Sequence, residues 1–144
     1  YIRDSQVLDL YAGSGSIGIE CASRGAAFVY AVESNPRCIE VITKNYKKTQ
    51  LDNRVKIIKG EVMNTLKRLG TNEKFDVIFM DPPYEKGYEQ SVVELIRAAD
   101  VLSPEGIIVI EHSAKTEISD DYIDYKLIKQ KKYGKTMISV LGEA

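Results

Sequence analysis

A glycine-rich turn directly follows an apolar run near the start of this sequence. The run ends in Asp9-Leu10-Tyr11-Ala12 and leads into Gly13, Gly15 and Gly18, spaced as Gly-x-Gly-x-x-Gly. Glycines let a backbone turn sharply and approach a ligand, and a helix that starts here offers N–H groups to an anion. No Lys-Ser or Lys-Thr follows Gly18, which excludes the phosphate loop of ATPases. The turn predicts a nucleotide-cofactor site, with a ligand-free tight turn as the alternative.

A carboxylate follows this turn at a spacing typical of ribose recognition. Glu33 lies 20 residues after Gly13, at the end of the next apolar run. An acid there can accept hydrogen bonds from both hydroxyls of an adenosine ribose. The alternative is a solvent-facing acid at a strand end. Both features suit a NAD-dependent dehydrogenase as well as an enzyme that uses S-adenosylmethionine (SAM).

A third motif distinguishes these two classes of enzyme. The run Phe75–Met80 ends in Asp81-Pro82-Pro83-Tyr84, and open α/β sheets bind ligands at the carboxyl ends of their strands. Prolines contribute no N–H donor, so the carbonyl oxygens of Asp81 and Pro82 can act as free acceptors. Two acceptors on one planar NH2 group would aim its lone pair at a bound methyl group, while Tyr84 stacks on the base. The motif therefore favours methyl transfer to an amine over a Pro-Pro turn that only ends a strand.

The elements that must position these motifs alternate along the whole chain, which is typical of a parallel sheet covered by helices. Strands are predicted over Gln6–Tyr11, Phe28–Glu33, Val55–Lys59, Phe75–Met80, Gly106–Glu111, Tyr125–Lys131 and Thr136–Leu141. Helices are predicted over Ser16–Ser23, from Pro36 through Tyr46, over Val62–Leu69 and over Ser91–Ala99. The last two strands, joined by Tyr133-Gly134-Lys135, form an antiparallel pair. We expect the polar segment Ser113–Asp124 to be a mobile loop.

Length and composition indicate one α/β domain over residues 1–144. The chain is 44% hydrophobic and carries a formal charge of -1, so bulk charge neither demands nor excludes a nucleic-acid partner. The sequence contains no apolar run long enough for a membrane helix and no signal peptide, which predicts a soluble, cytoplasmic protein. Cys21 and Cys38 are expected to be reduced, and no metal site is predicted.

The three motifs together resemble the class I SAM-dependent amino-methyltransferases, Rossmann-like enzymes with a mostly parallel seven-stranded sheet, helices on both faces and an antiparallel C-terminal strand. The longer run VLDLYAGSGSIGIECASRGAAFVYAVE, followed by FDVIFMDPPY, is similar to the RsmD family, which methylates guanine N2 in small-subunit (16S) ribosomal RNA. This resemblance implies a SAM-dependent RNA N-methyltransferase with ribosomal RNA, or an assembly intermediate of the small subunit, as its partner.

The resemblance also implies roles for individual residues. Asp9, Gly13 and Gly15, with Gly18 closing the motif, would surround the methionine part of SAM, and Glu33 would hold the ribose. Asp81 and Pro82 would bind the target amine in the Asp81-Pro82-Pro83-Tyr84 motif, and Tyr84 would stack on the flipped base. The family usually has Asp after the third strand, where this chain has Glu61, which is either an adenine ligand or a helix-start acid. No basic segment precedes the first strand, and we expect the chain to be the cofactor-binding core of a longer protein.

Several residues keep two interpretations. His112 is expected to make local hydrogen bonds and receives no catalytic role. Tyr88 either lines the target pocket or packs under the following helix. The lysines of the closing hairpin either meet phosphates or are solvated and protect a sheet edge; they are Lys126, Lys129, Lys131, Lys132 and Lys135.

Three other functions remain open at this point. A DNA adenine or cytosine amino-methyltransferase shares the Asp-Pro-Pro-Tyr motif, although the chain lacks an inserted target-recognition region. A NAD-dependent oxidoreductase would use the glycine turn but has no evident use for Asp81-Pro82-Pro83-Tyr84. A non-catalytic RNA-binding or assembly module would bind SAM without turnover.

Overall fold

A central sheet organises the molecule in a computed structural model that describes residues 2–69, 73–83 and 87–143. Its strands are β1 (Gln6–Leu10), β2 (Phe28–Glu33), β3 (Val55–Lys59), β4 (Phe75–Met80), β5 (Leu102–Ser113), β6 (Asp121–Tyr122), β7 (Tyr125–Tyr133) and β8 (Thr136–Glu143). Their order across the sheet is β3-β2-β1-β4-β5-β8-β7-β6. Strands β1 to β5 are parallel, and β8 is antiparallel to both β5 and β7. The predicted α/β class with an antiparallel C-terminal strand is confirmed.

Four helices cover the two faces of this sheet: α1 (Ser16–Ser23), α2 (Pro36–Lys48), α3 (Val62–Arg68) and α4 (Tyr88–Ala99). Buried side chains alternate along the strands, so that Val7 packs with α1 residues, whereas Leu8 packs with residues of α3 and α4. The predicted start of α2 is confirmed, because the Asn35 side chain accepts a hydrogen bond from the N–H of Arg37 at 2.9 Å and Pro36 is the first helical residue. In the described ranges, no helix is both long and apolar enough to cross a membrane.

The sheet has eight strands in the described residues instead of the expected seven. The extra strand, β6, pairs with the start of β7 inside the segment that was expected to be a mobile loop. Ile123 and Asp124 between them have φ values of 54° and 63°. Two consecutive left-handed residues close a two-residue hairpin, but the usual Asn-Gly or Asp-Gly signal is missing, so the sequence did not reveal it.

Two elements begin earlier than predicted. Strand β5 begins four residues early, at Leu102, which pairs with Phe75 before a register shift brings Ile107 opposite Val77. The irregularity accommodates Pro104, which cannot donate to a regular ladder. Helix α4 begins at Tyr88, three residues before the predicted start, because Gly87 with φ 70° supplies the turn into it.

Candidate active site

The glycine turn connects β1 to α1 through three residues in left-handed backbone conformation. Tyr11, Gly13 and Gly15 have φ values of 62°, 59° and 83°. Gly15 precedes the first helical residue, and a Cβ on it would lie 3.2 Å from Cγ2 of Ile42. The turn therefore depends on glycine both for its backbone angles and for the close approach of α2.

Gly18 lies within α1 and faces another side chain. A Cβ there would lie 2.1 Å from the Tyr46 hydroxyl oxygen and 3.2 Å from Cγ1 of Val29. Tyr46 is buried, and among the described residues its hydroxyl has no hydrogen-bond partner. The structure thus gives Gly18 a packing role between α1, α2 and the sheet, and its assignment to a cofactor stays a prediction.

Glu33 lies at the end of β2 and contacts the glycine turn. One carboxylate oxygen accepts a hydrogen bond from the Gly13 N–H at 2.8 Å, and the other accepts from the N–H of Asn35 at 3.0 Å. These bonds fix the carboxylate where the turn and the start of α2 meet. An oriented acid in this place can accept further hydrogen bonds from a diol.

A cavity of about 660 Å³ opens beside Glu33, within the range of small-molecule sites. It lies over the carboxyl ends of β1, β2 and β3 and the start of α3. Its lining includes Tyr11, Glu33, Glu61, Pro83 and Tyr88. Tyr88 thus lines this cavity from the first turn of α4.

Glu61 faces the same cavity from the residue before α3. Its side chain does not cap that helix and instead accepts a hydrogen bond from the Asn64 amide at 3.0 Å. Glu61 is exposed, so its carboxylate is open to a ligand. Because the Glu61 side chain lines the cavity and does not cap α3, its orientation favours the adenine ligand over the helix-start acid. The adenine role stays a prediction.

The residues after β4 lie next to the glycine turn because β4 pairs with β1 in parallel. Met80 pairs with Leu10, so Asp81 follows at the edge from which the turn departs. Asp81 and Asp9 line one small cavity of about 180 Å³ together with Ile17 of α1. Pro83 lines the larger cavity instead. The Asp81-Pro82-Pro83 turn therefore separates the two cavities, and Tyr84 lies outside the described residues.

The small cavity is electrostatically unusual because it gathers carboxylates. Burial, then the negative charges of Glu33 and Asp81, raise the pKa of Asp9 to about 7. Asp9 is 2% exposed, and its Oδ2 has no hydrogen-bond partner among the described residues. Such an oxygen needs a donor from beyond the described residues, such as a ligand, or a proton of its own.

Asp81 forms a carboxyl pair with Glu111 at the end of β5. Its partial burial, the negative charge of Glu111 and a side-chain hydrogen bond between the two raise the pKa of Asp81 to about 6. Asp81 therefore takes up a proton at a higher pH than an ordinary aspartate does. The sequence analysis missed Glu111, because its place beside Asp81 follows from the pairing of Met80 with Ile110, a register for which the sequence contains no signal.

His112 makes local hydrogen bonds, as predicted. It is fully buried, with Nδ1 lying 2.9 Å from the Ser113 carbonyl oxygen and Nε2 lying 2.7 Å from the Ser139 hydroxyl. The Gln130 amide donates to the same hydroxyl at 2.9 Å. One polar network, buried at His112 and Ser139 and exposed at Gln130, thus joins β5, β8 and β7.

Nearly all of this chain matches one family model. The family described as Conserved hypothetical protein 95 matches residues 1–142. The chain belongs to this family. Within it, the chain is similar to ribosomal RNA small subunit methyltransferase D of Buchnera aphidicola (subsp. Acyrthosiphon pisum), with 36% identity over 118 residues, and of Escherichia coli K12, with 27% identity over 133 residues. The predicted resemblance to RsmD methyltransferases is therefore confirmed.

Coverage differs between this chain and those relatives. The matched parts are 82% and 92% of this chain but 61% and 66% of the Buchnera and Escherichia coli proteins. A solved structure from Streptococcus pyogenes, described as a conserved hypothetical protein, superimposes with a TM-score of 0.90 at 31% identity, over 97% of this chain and 86% of that one. The chain thus spans less than two thirds of the length of the Buchnera and Escherichia coli proteins, and the class I methyltransferase fold is confirmed.

Proposed function

We propose that this protein transfers a methyl group from SAM to an exocyclic amine of a nucleobase, the target being guanine N2 of small-subunit ribosomal RNA. The observation that carries the proposal is the pairing of β1 with β4, which sets Asp81 and Pro82 beside the glycine turn. The names of the relatives support methyl transfer to ribosomal RNA. Activity on ribosomal RNA would place the protein in the cytoplasm.

The carboxylates and the larger cavity of the site fit SAM. The Glu33 carboxylate suits the two ribose hydroxyls, and the larger cavity beside it can hold an adenosine. The unpartnered Oδ2 of Asp9 suits the ammonium group of the methionine part, which would supply the missing donor. When bound, SAM supplies an electrophilic methyl group on a positively charged sulfur.

Asp81 and Pro82 would bind the amine that receives the methyl group. The Asp81 carboxylate and the Pro82 carbonyl would each accept one N–H of the target NH2 group and so orient its lone pair. The new C–N bond forms as the C–S bond breaks, and the amine then loses a proton. Asp81 need not be a strong base, because that proton becomes acidic only once methylation has begun. Tyr84 would stack on the base.

Two substitutions test the proposal in the full-length protein. Asp81→Ala and Tyr84→Ala should each lower methylation of small-subunit ribosomal RNA, with about a hundredfold loss for Asp81→Ala, while calorimetry shows nearly unchanged SAM affinity. Glu117→Ala, at an exposed acid that lines neither cavity, is the matched control. Methylation that persists in both variants would overturn the proposal.

Two further comparisons separate the alternatives. Calorimetry with SAM and with NAD should show binding of SAM alone, whereas NAD binding would indicate an oxidoreductase. Labelled SAM incubated with RNA and with DNA should label the RNA. SAM binding without turnover on any ribosomal substrate would favour an assembly module.

A further inference from the structure

The hairpin between β7 and β8 projects from the edge of the sheet that carries the candidate active site. Strand β8 is antiparallel to β5 and to β7, so β7 runs in the same direction as β5. Ser113 at the end of β5 pairs with Thr136, which pairs in turn with Tyr133. The turn over residues 133–136 therefore lies at the carboxyl edge, level with the residues that follow β4.

The end of this hairpin, here called the hairpin tip, consists of Lys131, Lys132, Tyr133 and Lys135. All four residues are exposed, and Tyr133 retains 53% of its accessible surface. Within the part of the chain that the structure describes, none of the three ammonium groups forms an ion pair with a carboxylate. Three lysines without an ion-pair partner among the described residues thus neighbour one exposed aromatic ring along the chain, and the Lys131 ammonium lies over that ring.

Two residues of the hairpin tip, Lys131 and Tyr133, share a face of the sheet with the small cavity, whereas Lys132 between them points to the opposite face. Lys131 pairs with Ile138, and Ile138 pairs with Glu111; the last two line that cavity together with Asp81. Tyr133, two residues further along β7, lies on the same face, and the Lys131 ammonium lies 5.1 Å from its ring centroid. Three strand spacings separate β4 from β7, about 14 Å, which nucleotides flanking a bound base can span.

Protection of the sheet edge explains the hairpin tip only in part. Lysines on an edge strand discourage pairing with another chain, and β7 is exposed beyond its short contact with β6. That role does not account for Tyr133, because an exposed aromatic ring adds apolar surface to the edge. An aromatic ring among lysines is instead the combination that binds single-stranded nucleic acid by stacking and phosphate contact.

We infer that the hairpin tip is a docking surface for single-stranded RNA next to the target nucleotide, with Lys131 and Lys135 on phosphates and Tyr133 stacked on an unpaired base. This inference rests on the proposed function, because it takes the RNA substrate as the ligand. It adds a binding surface that lies outside the cofactor and amine sites.

The test measures binding of a short fluorescein-labelled single-stranded RNA at several salt concentrations. The Lys131→Gln/Lys135→Gln variant should bind about tenfold more weakly, with the slope of log affinity against log salt reduced by about 1.4, as expected for two lost phosphate contacts. Tyr133→Leu should weaken binding about fivefold or more, whereas Tyr133→Phe should bind like the unaltered protein. The Lys47→Gln/Lys126→Gln variant removes the same charge from exposed lysines away from the hairpin tip and should bind normally.

The outcomes distinguish this inference from the proposed function. Equal losses in the two double-lysine variants would show that only net charge matters and would overturn the docking surface. If the variants of the hairpin tip lost binding to a DNA strand of the same sequence but bound the RNA as the unaltered protein does, the docking surface for RNA would also be overturned. SAM calorimetry on each variant should be unchanged, and failure of the unaltered protein to bind SAM would contradict the proposed function alone.

Discussion

The carboxylate of Glu33 accepts a hydrogen bond from the backbone N–H of Gly13, with 2.8 Å between oxygen and nitrogen. One acidic side chain thus connects the end of β2 to the turn after β1. The same carboxylate borders the larger cavity, so it is oriented by the backbone before any ligand arrives. This arrangement reduces the reorganisation that binding would require.

Replacing Glu33 should weaken SAM binding. Glu33→Gln keeps one oxygen that can accept from Gly13 but removes the charge that strengthens hydrogen bonds to the ribose hydroxyls. The expected loss is about 1.5 to 3 kcal/mol, or roughly ten- to a hundredfold in affinity, measured by calorimetry. Glu40→Gln, at an exposed acid paired with Lys44 on α2, is the control, and an equal loss in both would count against a ribose role.

Methylation should rise with pH through the titration of Asp81. Its pKa of about 6 reflects partial burial and the nearby Glu111, and the ionised carboxylate is the better acceptor for an amine. Glu111→Gln removes the neighbouring negative charge, so the rising limb of kcat/KM against pH should move to lower pH. Glu117→Gln should leave the limb in place. A limb that does not move in Glu111→Gln would show that the pair is not coupled during turnover.

The stability of the protein without cofactor should decrease as pH rises from about 4 to about 7. The pKa of Asp9 is about 7 in the folded chain against 3.8 for an aspartate free in solution, so the folded state holds a proton that the unfolded state has released. The stabilisation is complete below the unfolded pKa and is lost as pH rises through the folded one, with a slope of roughly 1 kcal/mol per pH unit.

Substitution of Asp9 isolates this contribution. Asp9→Asn should flatten the dependence of melting temperature on pH and raise that temperature at about pH 8, as measured by thermal denaturation. Asp120→Asn, at an exposed acid, should keep the original slope. An Asp9→Asn protein with the full slope would assign the pH dependence to other groups.

Contact between Gly18 and Tyr46 should appear as a coupling energy. Gly18→Ala places a methyl group against the Tyr46 hydroxyl, and overpacking of this kind costs about 1 to 3 kcal/mol. Tyr46→Phe removes a buried hydroxyl that has no partner among the described residues, so it should be nearly neutral by itself. The double variant should recover much of the loss in urea denaturation. If the two changes in the free energy of unfolding were additive, Gly18→Ala would destabilise the protein through contacts other than the one with the Tyr46 hydroxyl.

The position of the candidate site followed from sequence because parallel strands present their carboxyl ends at one edge. Gly13 and Asp81 each follow an apolar run, and any sheet that pairs those runs in parallel brings the two together. The position of Glu33 beside the glycine turn follows in the same way, because Glu33 ends the strand that pairs in parallel with β1. These relationships depend on the order and the direction of the strands, which the alternation of apolar runs and helices along the sequence indicates.

Contacts that depend on register or on packing between helices were not predictable. Glu111 meets Asp81 only because β5 shifts its pairing around Pro104. Tyr46 meets Gly18 through the approach of two helices, for which the sequence contains no local signal. Strand β6 depends on left-handed backbone at Ile123, a β-branched residue that normally avoids that conformation.

The hydrogen bonds among His112, Ser139 and Gln130 have a consequence for Tyr133, which lies three residues beyond Gln130 on β7. Moving β7 by one residue along β8 would break the hydrogen bond that Gln130 donates to Ser139, and it would also invert the side of the sheet to which every β7 side chain points. Tyr133 would then face away from Asp81. Ser139, held by the single histidine of this chain, therefore helps to fix the register of β7 and with it the direction in which the exposed Tyr133 ring points.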